Sequence, residues 1–169
     1  MNAKFYQSVK DELFNSILPY WEKYARDPVN KGFYGQIDND NNLNTTCERS
    51  IVMTSRFLWT YSAVARLSKN PEYLKMADFA YQVILTKYWD KKHGGVYWSV
   101  MPNGKPKVSK KQIYGEAFCC YGLSEYAAAL KELRENVGGE SLPLASASKL
   151  SSATPSAGDT PATPPVRSE

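Results

Sequence analysis

Apolar residues recur at three- and four-residue steps in four stretches of the chain, separated by short runs of glycine and aromatic residues. Phe5, Val9, Leu13, Ile17, Trp21 and Tyr24 fall on one side of a helix predicted to run to about Arg26, kinked by Pro19 and ended by Asp27-Pro28. A second helix is predicted to open at Thr45-Thr46-Cys47-Glu48, which reads as a capping box, and to run through Arg56 and Trp59 to about Leu67. Asn70-Pro71 places a cap before a proline that costs nothing at the first helical position, and Tyr73, Met76, Ala77, Ala80, Tyr81, Ile84 and Tyr88 give the third helix its buried stripe. Ser109-Lys110-Lys111-Gln112 reads as a second capping box. The helix after it carries Ile113, Ala117, Tyr121, Ser124 and Ala128 on one face and should end near Gly138-Gly139.

The runs between the helices repeat. Asp27 followed by Gly32-Phe33-Tyr34-Gly35 recurs as Asp90 followed by Gly95-Val96-Tyr97-Trp98, an interval of 63 residues, and the helices ending at Leu67 and Leu130 share that interval. Gly32–Asp38 and Gly95–Val100 are strand-like and lead into turns at Asp40-Asn41 and Asn103-Gly104, so each should form a small ribbon over one helix end. A helix, ribbon and helix unit cannot bury its own apolar face, and repeat proteins generally need three or more units or a closed ring. Two copies predict an α-helical repeat architecture that is one part of something larger.

Composition divides the chain further. Every aromatic residue lies within residues 1–126, and five of the ten prolines lie after residue 142. The expectation is a foldable segment over residues 1–137 and a low-complexity, disordered tail over 138–169, either a tether or the product of a changed or truncated reading frame. The net charge of +4 is scattered, with one short cluster at Lys105, Lys107, Lys110 and Lys111, which argues against nucleic-acid binding. Cys47, Cys119 and Cys120 form no disulfide framework, the N-terminus lacks a signal-peptide core, and no run of 18 apolar residues exists. These features predict a cytoplasmic chain with no membrane partner.

Little in the sequence announces a reaction. His93, the single histidine, stands in a loop, which excludes a mechanism needing two histidines from this chain and a His-rich metal site. No nucleophile elbow, phosphate loop or dinucleotide fingerprint is present, and no cofactor is implied. Paired carboxylates drawn from Asp38, Asp40, Asp90, Glu116 and Glu125 would suit a glycosidase, Glu116 being the most interesting because it enters an apolar helix; an acid paired with a nearby base is the plainer account. Arg56 lies mid-helix in Met53-Thr54-Ser55-Arg56-Phe57-Leu58-Trp59, where it either meets a structural ion-pair partner or turns its donors to sugar hydroxyls or an oxyanion.

Several motifs, taken together, carry a family resemblance: Ile17-Leu18-Pro19-Tyr20-Trp21, Gly32-Phe33-Tyr34-Gly35, Ser55-Arg56-Phe57-Leu58-Trp59, Gly94-Gly95-Val96-Tyr97-Trp98, Tyr114-Gly115-Glu116-Ala117-Phe118 and Tyr121-Gly122-Leu123-Ser124-Glu125-Tyr126. Over roughly residues 5–130 their order and spacing resemble the N-acylglucosamine 2-epimerase family, the Val96-Tyr97-Trp98 loop being nearer its cellobiose 2-epimerase branch than its amino-sugar branch. The resemblance implies an all-α, partial (α/α)6 barrel of about two hairpins, roughly the first third of about twelve helices. It implies epimerisation at C2 of a reducing-end sugar, a disaccharide or an amino sugar. The C2 proton leaves and returns on the other face through an enediolate, served by two histidines on later helices that this chain does not contain. Arg56 matches the family's active-site arginine, which holds the oxygen where charge builds. Tyr114 matches a pocket-lining tyrosine, and Trp59 shares the arginine's motif.

Two positions depart from the pattern: Lys31-Gly32 replaces the usual Gly-Gly, and Glu116 stands where the family commonly has Gln. A chain of this kind should be inactive alone. The alternatives are a non-catalytic carbohydrate-binding or interaction module with a tethering tail, and a glycosidase of similar helical architecture.

Overall fold

Asn2 opens the first helical segment by accepting the Lys4 amide on its side chain at 3.0 Å, and the computed structural model describes the chain from there to residue 136. α1 (Ala3–Glu12), a π turn (Leu13–Ile17) and α2 (Leu18–Tyr24) adjoin one another without a gap. Pro19 lacks the amide that would bond the Asn15 carbonyl, and its ring would crowd that carbonyl. The π turn absorbs both problems, because the Leu18 amide donates five residues back to Leu13 and widens the turn just ahead of the proline. One added residue rotates the downstream helix by about 100°. The predicted apolar stripe is therefore split: Phe5, Val9 and Ile17 are exposed, α1 buries no residue, and Leu18 reaches the core with partial help from Phe14 and Trp21.

α3 (Ile51–Ser68) begins later than the Thr45–Glu48 capping box predicts. Arg49 and Ser50 form β3, paired antiparallel with Val100 and Ser99, and this keeps the backbone extended up to the helix. Ser50 then acts as the cap, accepting the Val52 amide at 3.2 Å. Thr46 and Cys47 instead donate their amides to the Asn44 side chain, and the Glu48 carboxylate accepts from the Ser99 hydroxyl.

The third helical segment matches expectation. Asn70 caps it by accepting the Glu72 amide at 3.0 Å, a 3-10 turn (Pro71–Tyr73) leads into α4 (Leu74–Val83), and a π turn (Ile84–Tyr88) closes it. Met76, Ala77, Ala80, Ile84 and Tyr88 are buried, with Tyr73 and Tyr81 half-buried.

α5 (Ile113–Asn136) also starts after its predicted capping box. Pro106–Val108 are held extended in β5 against β4 (Ser99–Val100), and the first helical bond runs from the Glu116 amide to the Gln112 carbonyl. The face carrying Ile113, Ala117, Tyr121 and Ser124 points outward, Ile113 being 89% exposed. Gly115, Cys119, Gly122, Tyr126, Ala129 and Leu133 face the core instead. Glycine is required for this approach: a Cβ on Gly122 would lie 2.7 Å from the Ser55 carbonyl oxygen of α3. The predicted helix end near Gly138-Gly139 and the tail over 138–169 lie outside the described residues.

The 63-residue repeat holds down to single bonds. β1 (Arg26–Asp27) pairs with β2 (Gly32–Phe33), and the bridge between Arg26 and Phe33 has its counterpart between Trp89 and Val96. The Tyr34 amide donates to the Ala25 carbonyl at 2.9 Å, as the Tyr97 amide does to Tyr88 at 2.9 Å. Asp27 accepts the Val29 and Asn30 amides, and Asp90 accepts those of Lys92 and His93. Both expected turns are present, with positive φ at Asn41 and Gly104. The core runs from Leu18 and Phe33 through Ile51, Phe57, Leu58 and Tyr61 to Ala77, Ala80 and Tyr88, with Phe33 stacked on Phe57 at 4.4 Å between centroids.

Candidate functional site

Each copy of the repeat anchors its loop with a buried aspartate, and each aspartate has a different cation. In the first copy the Arg49 guanidinium meets Asp27 at 3.0 Å, with Asp27 1% and Arg49 4% exposed. Burial pushes the Asp27 carboxyl up, but hydrogen bonds from Asn30 and Arg49 outweigh it and hold the group below the usual carboxylate range. In the second copy Lys111 meets Asp90 at 2.8 Å and holds it well below that range, against a smaller opposing effect of burial and with help from the His93 and Lys92 amides. His93 lies beside Asp90 with its ring at 3.2 Å from the carboxylate and largely exposed, so the single histidine belongs to this loop anchor. Lys87 ties the two loops together by donating to the carbonyls of Asn30 and Pro102, and burial pushes its pKa down.

Arg56 stands apart from the other arginines among the described residues. Arg49 is paired to Asp27, Arg66 bonds Glu125 and Glu132, and Arg26 lies over the Phe79 ring. Arg56 is exposed on α3 between the buried Ser55 and Phe57 and makes no ion pair among the described residues. Its guanidinium carbon sits 4.9 Å from the centroid of Phe118 on α5. The ion-pair alternative for this residue thus finds no carboxylate in the described part.

Around that contact runs a continuous strip of rings. Trp59, one turn from Arg56, stacks on Tyr121 at 5.0 Å with the planes 10° apart. Phe118 meets Tyr121 at 6.4 Å and Tyr114 at 4.9 Å, and Tyr114 meets Trp98 at 6.4 Å. Tyr114, Phe118 and Tyr121 share one helix face because they are spaced four and three residues apart. Tyr114 is 56% and Tyr121 49% exposed, so the strip is open to solvent. Ring faces and a guanidinium fork present stacking surface for sugar C–H faces and donors for sugar oxygens on one surface.

Of the four sequence candidates, three come together here: Arg56, Trp59 and Tyr114. Glu116 does not join them. It lies two residues from Tyr114, about 200° around the helix, and its Oε1 accepts the Val96 amide at 2.9 Å. Phe118, Tyr121 and Trp98 were not among the candidates; the helical spacing from Tyr114 is the signal that would have brought in the first two. Among the described residues no group of His, Cys, Asp and Glu could hold a metal ion, and no helix is long and apolar enough to cross a membrane.

A family profile described as N-acylglucosamine 2-epimerase (GlcNAc 2-epimerase) matches residues 32–166. The match continues past the domain boundary expected near residue 137, into residues outside the described part. A cellobiose 2-epimerase of Bacteroides fragilis is 42% identical over 123 residues, which are 73% of this chain and 31% of that protein. One of Dictyoglomus turgidum is 34% identical over 128 residues, 73% of this chain and 33% of that protein. The chain therefore spans about a third of the length of these curated relatives. The solved cellobiose 2-epimerase from Bacillus thermoamylovorans B4167 matches with a TM-score of 0.71 at 32% identity, covering 79% of this chain and 36% of that one. A D-mannose isomerase structure, 17% identical with a TM-score of 0.63, shares the fold. The helical hairpins thus share the architecture of the epimerase (α/α)6 barrels, as expected from the motifs.

Proposed function

The chain belongs to the N-acylglucosamine 2-epimerase family, and on that footing we propose that it supplies the arginine-bearing part of a carbohydrate 2-epimerase acting on a cellobiose-like disaccharide. The observation that carries the reading is Arg56: exposed, without a carboxylate partner among the described residues, and set in a strip of rings. In C2 epimerisation the sugar opens, the proton on C2 beside the C1 carbonyl is removed, and the enediolate takes a proton on the opposite face. Negative charge gathers on oxygen at the midpoint. A fixed guanidinium donating to that oxygen stabilises the charge as it forms. Tyr114 and Trp59 would hold the sugar by stacking on its C–H faces.

Proton removal and return need groups that titrate near neutrality. The one histidine of this sequence, His93, is engaged by Asp90 in a loop. The chain alone should therefore bind sugar without epimerising it. Three free thiols among the described residues suit a reducing, cytoplasmic setting.

The test is incubation of the chain with cellobiose, with chromatography for glucosyl-mannose and saturation-transfer NMR for binding. Binding without product is expected, with binding lost in Arg56→Ala. Product formation would overturn the inactivity. Absence of binding, or binding unchanged in Arg56→Ala, would overturn the assignment of Arg56.

A further inference from the structure

Glu116 is the candidate that the strip leaves out, and its surroundings give it another task. Its Oε1 accepts the Val96 amide at 2.9 Å, and Val96 is buried. Gly95 just before it has a φ of +74°, and a Cβ there would lie 2.6 Å from the same oxygen. Loop and carboxylate are fitted to each other: the acid occupies the space a side chain on residue 95 would need. Two residues on, the Trp98 carbonyl accepts the Ile51 amide at 3.1 Å at the start of α3. The Trp98 ring lies against Gly115, where a Cβ would be 3.3 Å from a ring carbon, and meets Tyr114 at the end of the strip. Trp98 is thus carried on a segment pinned by Glu116 at one end and by the Ile51 amide at the other.

The repeat separates this role from fold maintenance. Sixty-three residues before Glu116 stands Met53, on a helix of the same kind behind a loop with the same bridge and the same aspartate anchor. The first copy forms its loop with no carboxylate at that position. An acid in the second copy alone goes with what the second loop alone carries into the strip, which is Trp98.

We propose that Glu116 is a positioning residue: by accepting the Val96 amide it sets where Trp98 stands against Tyr114, and so shapes one end of the sugar-facing strip without touching sugar. The inference rests on the reading of the strip as a sugar-facing surface. A glutamine keeps the acceptor oxygen and removes the charge; an alanine removes both.

The test uses the full chain with Glu116→Gln, Glu116→Ala and Trp98→Ala, read by amide hydrogen exchange at Val96, by the nuclear Overhauser contact between Trp98 and Tyr114, and by cellobiose titration. In Glu116→Ala, Val96 exchange should rise about fivefold or more, the Trp98 contact should weaken and cellobiose affinity should fall. Glu116→Gln should keep all three near wild type. Trp98→Ala should lose affinity with Val96 protection intact, which guards against a general loss of folding as the explanation. Unchanged exchange and contact in Glu116→Ala would overturn the proposal, as would a Glu116→Gln variant that keeps the loop but loses sugar, since that would mean a charge-dependent contact. If no variant binds cellobiose, wild type included, while exchange and ring contact track the acceptor, the positioning role stands and the sugar reading of the strip falls.

Discussion

Because the repeat places an aspartate at the same point in both copies, one substitution made twice isolates the effect of the partner's burial. Asp27→Ala strands the Arg49 guanidinium, 4% exposed, with only the carbonyls of Cys47 and Thr45 as remaining acceptors besides a cysteine sulfur. Removing one member of a buried pair costs about 3–5 kcal/mol, because the charge left behind has no opposite charge beside it and little access to water. The Val29 and Asn30 amides and the Asn30 side-chain amide also lose Asp27; Val29 is exposed and Asn30 half-buried, so water replaces part of what these groups lose. Against a total stability of about 5–15 kcal/mol for a domain, such a loss leaves a marginal fold.

Asp90→Ala frees Lys111, whose side chain is 31% exposed and can turn its ammonium to water, and His93, which is already largely exposed. Its cost should be clearly the smaller of the two. Urea unfolding of wild type and both variants, monitored by circular dichroism, gives the comparison. In addition, Asp27→Ala with Arg49→Met should be more stable than Asp27→Ala alone, because the orphaned charge is gone. Equal losses at the two sites, or a double variant no better than the single one, would mean that the stranded cation does not set the cost.

Both anchoring carboxylates have folded pKa values below their unfolded ones, so the unfolded chain binds more protons and stability rises with pH. The contribution should be present above about pH 4 and fade as pH falls through the folded values; urea midpoints from pH 7 to 3 should decline, and a flat profile would count against it. Gly122→Ala puts a methyl 2.7 Å from the Ser55 carbonyl, so α5 must move off α3; overpacking of about 1–3 kcal/mol should outweigh a helix-propensity gain of about 1 kcal/mol, leaving a lower melting temperature, whereas a higher one would mean the helices yield freely. Cys119 has its thiol pushed up to about 12 by burial, next to the exposed Cys120, so a thiol reagent at pH 8 should label Cys120 first and Cys119 only on unfolding, as mass spectrometry of peptides can check.

The elements set by local chemistry are legible in the residues. Asn70-Pro71 caps the third helix, Asn103-Gly104 turns its ribbon, and the 63-residue interval foretells matching bonds at Asp27 and Asp90. Where the structure departs from expectation, a distant segment usually decides the matter. Thr45–Glu48 and Ser109–Gln112 have capping chemistry, but β4 holds Arg49 and Ser50 extended on one side and the Pro106–Val108 strand on the other, so both helices start late. The π turn ahead of Pro19 is local in cause, yet a period of 3.6 residues carries no mark of the added residue that turns Ile17 outward and Leu18 inward. At the site, Arg56, Trp59 and Tyr114 are found by motif, whereas the grouping of Trp59 with Tyr121 and Arg56 with Phe118 depends on how α5 lies across α3.

The same interval explains why the strip lies where it does. Ile51, Ser55 and Leu58 of α3 are buried, and they are the residues that Gly115 and Gly122 of α5 press against. Sixty-three positions on stand Tyr114, Phe118 and Tyr121, rings of the strip, of which Tyr114 and Tyr121 are exposed and Phe118 is half-buried. Conversely, the counterparts of Arg56 and Trp59 are Cys119 and Gly122, which α5 uses to reach α3: one is a buried thiol and the other a glycine that admits a backbone carbonyl. Equivalent positions therefore serve packing in one copy and display in the other. An arginine at 119 would have to be buried against α3 without a partner, a cost of several kcal/mol, while at 56 it costs little because that face of α3 is open among the described residues. The candidate site lies where the edge of α3 carrying Arg56 and Trp59 meets the α5 face carrying Phe118 and Tyr121, and the two copies differ in sequence at the positions that this division of faces requires.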